Sequence, residues 1–194
     1  MDMQRCHWCG EDPVYQHYHD TVWGRPEYDS LELFEKLCLD GQQAGLSWIT
    51  ILKKQANYEA AFFNFDPYQM AQMDEADVER LMQDTGIVRN RLKIQSLIRN
   101  AKAYVAFAEQ GDFSHFLWSF VGGRSIVNQW QESSQIPTQT TESEAMSKAL
   151  KKLGFNFVGP TICYAFMQAC GLVMDHVTSC HCYQECKTLA ERQS

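Results

Sequence analysis

Apolar residues recur at helical spacing along nearly the whole chain, and no stretch shows the strict alternation of a half-buried strand. The runs Leu31, Phe34, Leu37 and Cys38, then Val78, Leu81 and Met82, then Ile94, Leu97, Ile98, Ala101 and Val105 each gather their side chains on one face of a 3.6-residue repeat. This periodicity predicts an all-α protein of about seven or eight short helices. Start and stop signals fall between the runs. Asp29 with Glu32 resembles a capping box, Asp66-Pro67 a cap and first turn, and Gly86, Gly111, Gly154 and Gly171 mark helix ends. Gly122 to Glu142, with Gly122-Gly123, Ser133-Ser134 and Pro137, reads as a long connection between a central and a C-terminal block. With 194 residues, 45% of them hydrophobic, the chain can build a core without disulfides.

Charge narrows the function classes. A net charge of −7 excludes nucleic-acid binding by bulk positive charge but leaves room for a local basic surface. Residues Thr85 to Ala108 carry Arg89, Arg91, Lys93, Arg99 and Lys102 with no acid, and Ala145 to Met174 carry Lys148, Lys151 and Lys152 with no acid. These windows fit either ordinary solvated helix faces or a phosphate-binding surface, which needs only a few cations on one face. The uncharged stretch Leu153 to Met174 is interrupted by Gly154, Asn156, Gly159, Pro160, Gln168 and Gly171, so a buried helix after a tight turn is expected rather than a membrane span. The start, Met1 to Cys6, lacks the basic and apolar regions of a secretory signal, and a cytoplasmic protein is expected.

In a cytoplasmic chain, eight cysteines point to thiols or metal ligands rather than a disulfide framework. Cys38, Cys163 and Cys170 sit on apolar helical stretches and read as core. Cys6 and Cys9 near the start, and Cys180, Cys182 and Cys186 near the finish, lie among His7, His17, His19, His176 and His181. On a helix, His176 and Cys180 would share one face a turn apart and suit two bonds to one tetrahedral zinc, with partners from the N-terminal segment. The alternative is a set of reactive thiols on mobile ends.

Between Leu153 and Gly171, helix, Gly-Phe-Asn-Phe-Val-Gly-Pro-Thr and apolar helix follow one another. A Gly-rich hairpin of this kind presents backbone N–H groups to a phosphate at the second helix's N-terminus, although a Gly cap followed by Pro also joins helices with no ligand. On the phosphate-binding reading, Lys151, Lys152 and Gly159 face the DNA backbone. Trp8, Tyr15, Tyr18, Trp23 and Trp48 crowd the first quarter near Asp40 and the run Gly41 to Ser47. Such rings are either core or, with one acid, a pocket for a flat cationic base. Walker A, dinucleotide-binding, zinc-peptidase and nucleophile-elbow signatures are all missing from the chain.

Several long stretches together resemble the DNA-3-methyladenine glycosylase I family over nearly the whole length: Tyr18-His19-Asp20 with Trp23-Gly24, Gly41 to Thr50, Gly86-Ile87 with Lys93-Ile94, Phe116 to Val121, and Lys151 to His176. The resemblance implies an all-α helix-hairpin-helix DNA glycosylase fold, a single unit over 1–194 in which 30–120 form a central helical block and 1–29 with 143–194 a zinc-linked terminal lobe. It implies a monomeric, monofunctional N-glycosyl hydrolase without a lyase step, which excises 3-methyladenine from double-stranded alkylated DNA. It further implies one structural zinc per chain held by Cys6, His19, His176 and Cys180, leaving Cys9, Cys182 and Cys186 as spare thiols. The base would be held by Trp8, Tyr15, Tyr18 and Trp48, and Gln43, Gly45 and Leu46 would approach the gap in the duplex. The family's base-reading acid is usually a glutamate, and here Asp40 stands in that place, one methylene shorter. The rival expectation is a non-catalytic, zinc-stabilised DNA-binding module with the same hairpin.

Overall fold

Eleven α-helices account for most of the residues that the computed structural model describes, 3–192; the two residues at either end of the expected 1–194 unit lie outside the described residues. In chain order they are α1 Pro13–Thr21, α2 Ser30–Gln42, α3 Trp48–Leu52, α4 Gln55–Ala61, α5 Pro67–Met70, α6 Glu75–Leu81, α7 Arg91–Ala108, α8 Phe113–Trp118, α9 Thr141–Leu153, α10 Pro160–Ala169 and α11 Tyr183–Glu191. The number exceeds the sequence expectation because α3 to α6 and α8 have only four to seven residues each, too short for a period to be read.

The caps explain where the helices begin. The Asp29 carboxylate accepts from the amides of Leu31 and Glu32, and Asp66 does the same for Tyr68 and Gln69 with Pro67 in the first turn. Gly154, in the left-handed region, closes α9. Gly86 departs from expectation: α6 ends before Met82, and Gly86 lies in a later turn, where its carbonyl accepts from Asn57 Nδ2 at 3.0 Å.

The core forms where α2, α7 and α10 converge. Leu33, Phe34 and Leu37 of α2, Ile94, Leu97 and Ala101 of α7, and Cys163, Phe166 and Met167 of α10 are fully buried, each large side chain contributing roughly 1.5–3 kcal/mol. The stretch from 153 to 174 divides into the end of α9, the hairpin, the ten-residue α10 and a short strand, and among the described residues no helix is long and apolar enough to cross a membrane.

One pair of strands was not foreseen. Within the long connection, β1 Ile126–Val127 pairs in parallel with β2 Val173–Met174. Two residues cannot display alternation, so no pattern announced them. Just after β2, the buried Asp175 carboxylate accepts from Asn128 Nδ2 (2.7 Å), Trp130 Nε1 (2.9 Å), Gln168 Nε2 (3.0 Å) and the Tyr164 hydroxyl, which fastens the connection to α10.

Gly171, between α10 and β2, has φ +73°, and a Cβ there would fall 2.5 Å from the backbone of Arg25 and Pro26. Both the conformation and the space require glycine. Gly171→Ala should lower stability by more than about 3 kcal/mol, read as a fall in thermal midpoint. An unchanged midpoint would contradict this packing.

Candidate functional site

Four aromatic side chains and one acid, far apart in sequence, line one cavity of about 340 Å³: Trp8, Tyr15, Tyr18, Trp48 and Asp40. Trp23, Lys36 and Gln43 complete the wall nearest to them. Trp8 leans on Tyr15 (centroids 5.0 Å apart) and on Trp23 (4.9 Å), and Tyr18 meets Trp48 at 5.6 Å. The rings thus form both core edge and pocket wall. Tyr15 and Tyr18 project from α1, Trp48 opens α3, and Asp40 sits in the last turn of α2. A carboxylate so near a helix C-terminus is disfavoured by the macrodipole, so its placement there is not explained by helix stability.

Asp40 is 2% exposed. Burial pushes its carboxyl above the ordinary range, against the pull of the nearby Lys36 ammonium, which donates to Oδ1 at 2.8 Å. The same ammonium lies 3.4 Å from the centroid of the Trp48 ring. The cavity holds the one acid expected among the rings, and that acid already has a cation. Lys36 was missed in the sequence, although its place one helical turn before Asp40 was the signal that could have revealed it. Three buried polar atoms on this wall have no hydrogen-bond partner among the described residues: Asp40 Oδ2, Trp8 Nε1 and Trp48 Nε1. One acceptor and two donors left open in one aromatic cavity fit a flat heterocycle carrying both donors and acceptors.

The turn after α2 exposes Gly45 and Leu46, the latter 40% exposed, while Gln43 faces the cavity. Lys93, one of the cations in the first basic window, is not on a phosphate-binding surface. It is buried, and its ammonium donates to the carbonyls of Gln42 (2.8 Å) and Ala44 (2.5 Å), holding this turn in place. Arg91 of the same window is engaged by Glu75 and Glu79.

The hairpin runs from Gly154 to Gly159 and packs on α2. A Cβ at Gly41 would lie 3.1 Å from the Phe157 carbonyl, so the residue after Asp40 is in near contact with the hairpin backbone. Asn100 of α7 braces the loop, accepting from the Asn156 amide at 2.8 Å. Gly159 caps α10 with open space around it, and Lys151 and Lys152 end α9 exposed, neither paired with an acid among the described residues.

Cys6, His19, His176 and Cys180 are all buried, and their ligand atoms lie within 4.8 Å of one another. Cys6 Sγ is 3.5 Å from His176 Nδ1, and Cys180 Sγ is 3.4 Å from both His176 Nδ1 and His19 Nε2. Bonds of about 2.3 Å to sulfur and 2.05 Å to nitrogen at the tetrahedral angle would set S and N roughly 3.5 Å apart, so the donor set fits zinc. The remaining imidazole nitrogens meet Asp20 Oδ1 (2.8 Å) and the Trp23 carbonyl (2.9 Å), the outer partners that orient metal-binding histidines. His176 and Cys180 are brought together by a turn, not by the helix expected from their spacing. Cys9, Cys182 and Cys186 are buried too, which overturns the alternative of reactive thiols on mobile ends.

A mostly helical fold thus brings together a hairpin, an aromatic cavity and a buried Cys2His2 cluster. Residues 8–183 match the methyladenine glycosylase family. DNA-3-methyladenine glycosylase 1 of Escherichia coli K12 is 59% identical over 182 residues, 93% of this chain and 97% of that one. A crystal structure of 3-methyladenine DNA glycosylase I superposes with a TM-score of 0.92 at 58% identity, covering 93% of this chain and 100% of the other. A point variant of 3-methyladenine DNA glycosylase I, solved in complex with 3-methyladenine, gives 0.89 at 42% identity, covering 92% and 97%. The chain belongs to the methyladenine glycosylase family.

Lys93→Met would leave the carbonyls of Gln42 and Ala44 buried without their donor, so stability should fall by about 1–3 kcal/mol, measured by denaturant titration. A midpoint equal to the parent's would mean that another group holds the turn.

Proposed function

We infer that the protein is a DNA repair glycosylase that extrudes 3-methyladenine from alkylated duplex DNA and hydrolyses its glycosidic bond, leaving an abasic site. The observation that carries this reading is the aromatic cavity whose open polar atoms, Asp40 Oδ2 and the indole N–H groups of Trp8 and Trp48, are all buried. A non-catalytic DNA-binding module needs the hairpin but gives no reason for such a cavity.

Methylation at N3 makes the nucleotide cationic and weakens the bond between the sugar C1′ and N9. As that bond breaks its electron pair passes to the base, which departs neutral and leaves the positive charge on the sugar; water adds to C1′ and gives up a proton to the solvent. No strong acid is required. The demand on the protein is to take the base out of the stack and to favour the methylated base over adenine. Tyr15, Tyr18, Trp8 and Trp48 supply ring faces, Asp40 supplies a carboxylate that favours positive charge and accepts from the adenine edge, and a cation–π contribution adds to both. Gln43, Gly45 and Leu46 lie on the turn that would enter the gap left in the duplex. The amides at the start of α10 beside Gly159, with Lys151 and Lys152, would hold the backbone phosphates.

Cys6, His19, His176 and Cys180 would hold one zinc. With four protein ligands it has no open position, so its chemistry is structural, tying the N-terminal segment to the turn after β2. The protein would act as a cytoplasmic monomer.

Asp40→Asn keeps the shape and removes the charge. It should slow release of 3-methyladenine from methylated duplex at least ~10-fold, about 1.4 kcal/mol of differential binding, without lowering the thermal midpoint. Chromatography of the released bases under single turnover measures this. Parent protein that releases no 3-methyladenine, or an Asp40→Asn protein as fast as the parent, would contradict the proposed function or the role of Asp40 respectively.

A further inference from the structure

Lys36 stands at the partition between two cavities. One is the aromatic cavity of Asp40; the other, of about 460 Å³, lies on the far side and is lined by Glu32 and Glu35 among others, and the two share Tyr18, Lys36, Trp48 and Ala169 as a wall. In the structure the ammonium lies on the Asp40 side, 2.8 Å from Oδ1 and 3.4 Å above the Trp48 ring. A carboxylate and an aromatic face are the two features by which this wall would recognise a cationic base, and a second cation cannot share them without repulsion.

Sequence spacing provides an exit. Glu32, Lys36 and Asp40 fall at i, i+4 and i+8 of α2, so a lysine at the centre can reach a carboxylate one turn towards either end. The far cavity is also lined by Arg25, which pairs with Glu185, and neither Glu32 nor Glu35 has an ion-pair partner among the described residues. Burial, and then the charges of Glu59 and Glu32, push the Glu35 carboxyl up to about 7, and burial with the charges of Glu27 and Asp29 raises Glu32.

We propose, on the reading given above, that Lys36 is a displaceable occupant of the base site: its ammonium occupies the place on Asp40 and Trp48 that the methylated base takes, whether as the cationic nucleotide or as the free base, and swings towards Glu32 when the base enters. Lys36 is then a specificity-determining residue. Only bases that bind Asp40 and the Trp48 face better than Lys36 does gain entry, and the apparent affinity of every base is lowered by the fraction of molecules in which Lys36 is in place.

The test is calorimetric titration of 3-methyladenine into the purified parent, K36M, K36Q, E32Q and the double variant K36M/E32Q, with circular dichroism to verify folding. The proposal expects K36M and K36Q to bind roughly ten-fold more tightly than the parent. It expects E32Q to weaken binding several-fold in the parent background, by removing the acceptor for the displaced lysine, and to change nothing in the K36M background. Should K36M fail to fold, K36Q carries the same expectation with a polar side chain of nearly the same reach. Parent binding that K36M and K36Q leave equal or weaker would overturn the proposal while leaving the functional reading intact. An equal effect of E32Q in both backgrounds would overturn the swing towards Glu32. Binding by K36M but not by the parent would support the occupant at its strongest, and binding by none of the folded proteins would overturn the functional reading and the proposal together.

Discussion

The cluster of Cys6, His19, His176 and Cys180 is the constraint on which the pocket depends, because it joins the ends of the chain at the place where the aromatic wall is built. His19 lies one residue beyond Tyr18 on α1, and its ring sits 5.3 Å from Trp8. Trp23, which packs on Trp8, accepts from His176 through its own carbonyl. Three of the ring positions around the cavity are thereby set by groups that would be ligands or neighbours of ligands.

The opposite wall has a different origin. Asp40 and Lys36 stand on α2, one of the central core helices, with the hairpin carbonyl of Phe157 against Gly41 behind them. The turn that would touch DNA is fixed from below by Lys93. A base entering the cavity would thus meet an aromatic side braced by the Cys2His2 cluster and a core-braced charged side, while the duplex would rest on the hairpin and the turn at the rim. Contact between the hairpin and the helix that carries Asp40 would give the proposed DNA binding and base binding a common support, which suits an enzyme whose selectivity lies in positioning.

Much of this was legible before any coordinates. The apolar period of α2, α7 and α10 announced helices, the Cys and His residues at the two ends announced a possible cluster, and the crowding of rings near Asp40 announced a possible pocket. What stayed hidden has physical causes. Helices of four to seven residues and two-residue strands carry too little sequence to show a period. The basic window around Lys93 could not reveal that this ammonium turns inward to backbone carbonyls, because a buried and a solvated lysine look alike in sequence. The Lys36–Asp40 pair was present as an i,i+4 spacing, but such pairs are common on exposed helix faces, and only burial distinguishes this one. His176 and Cys180 matched the spacing of a helix and met through a turn instead.

The central claim is that a metal at the Cys2His2 cluster holds the aromatic wall in place for the base. Its most direct test is 3-methyladenine binding measured on the same preparation before and after metal removal by a strong chelator, with metal content determined in parallel. The account predicts about one zinc per chain before treatment, base binding weakened at least ~10-fold once it is gone, and recovery when zinc is returned. Metal-free protein that binds 3-methyladenine as tightly as the untreated protein would contradict it.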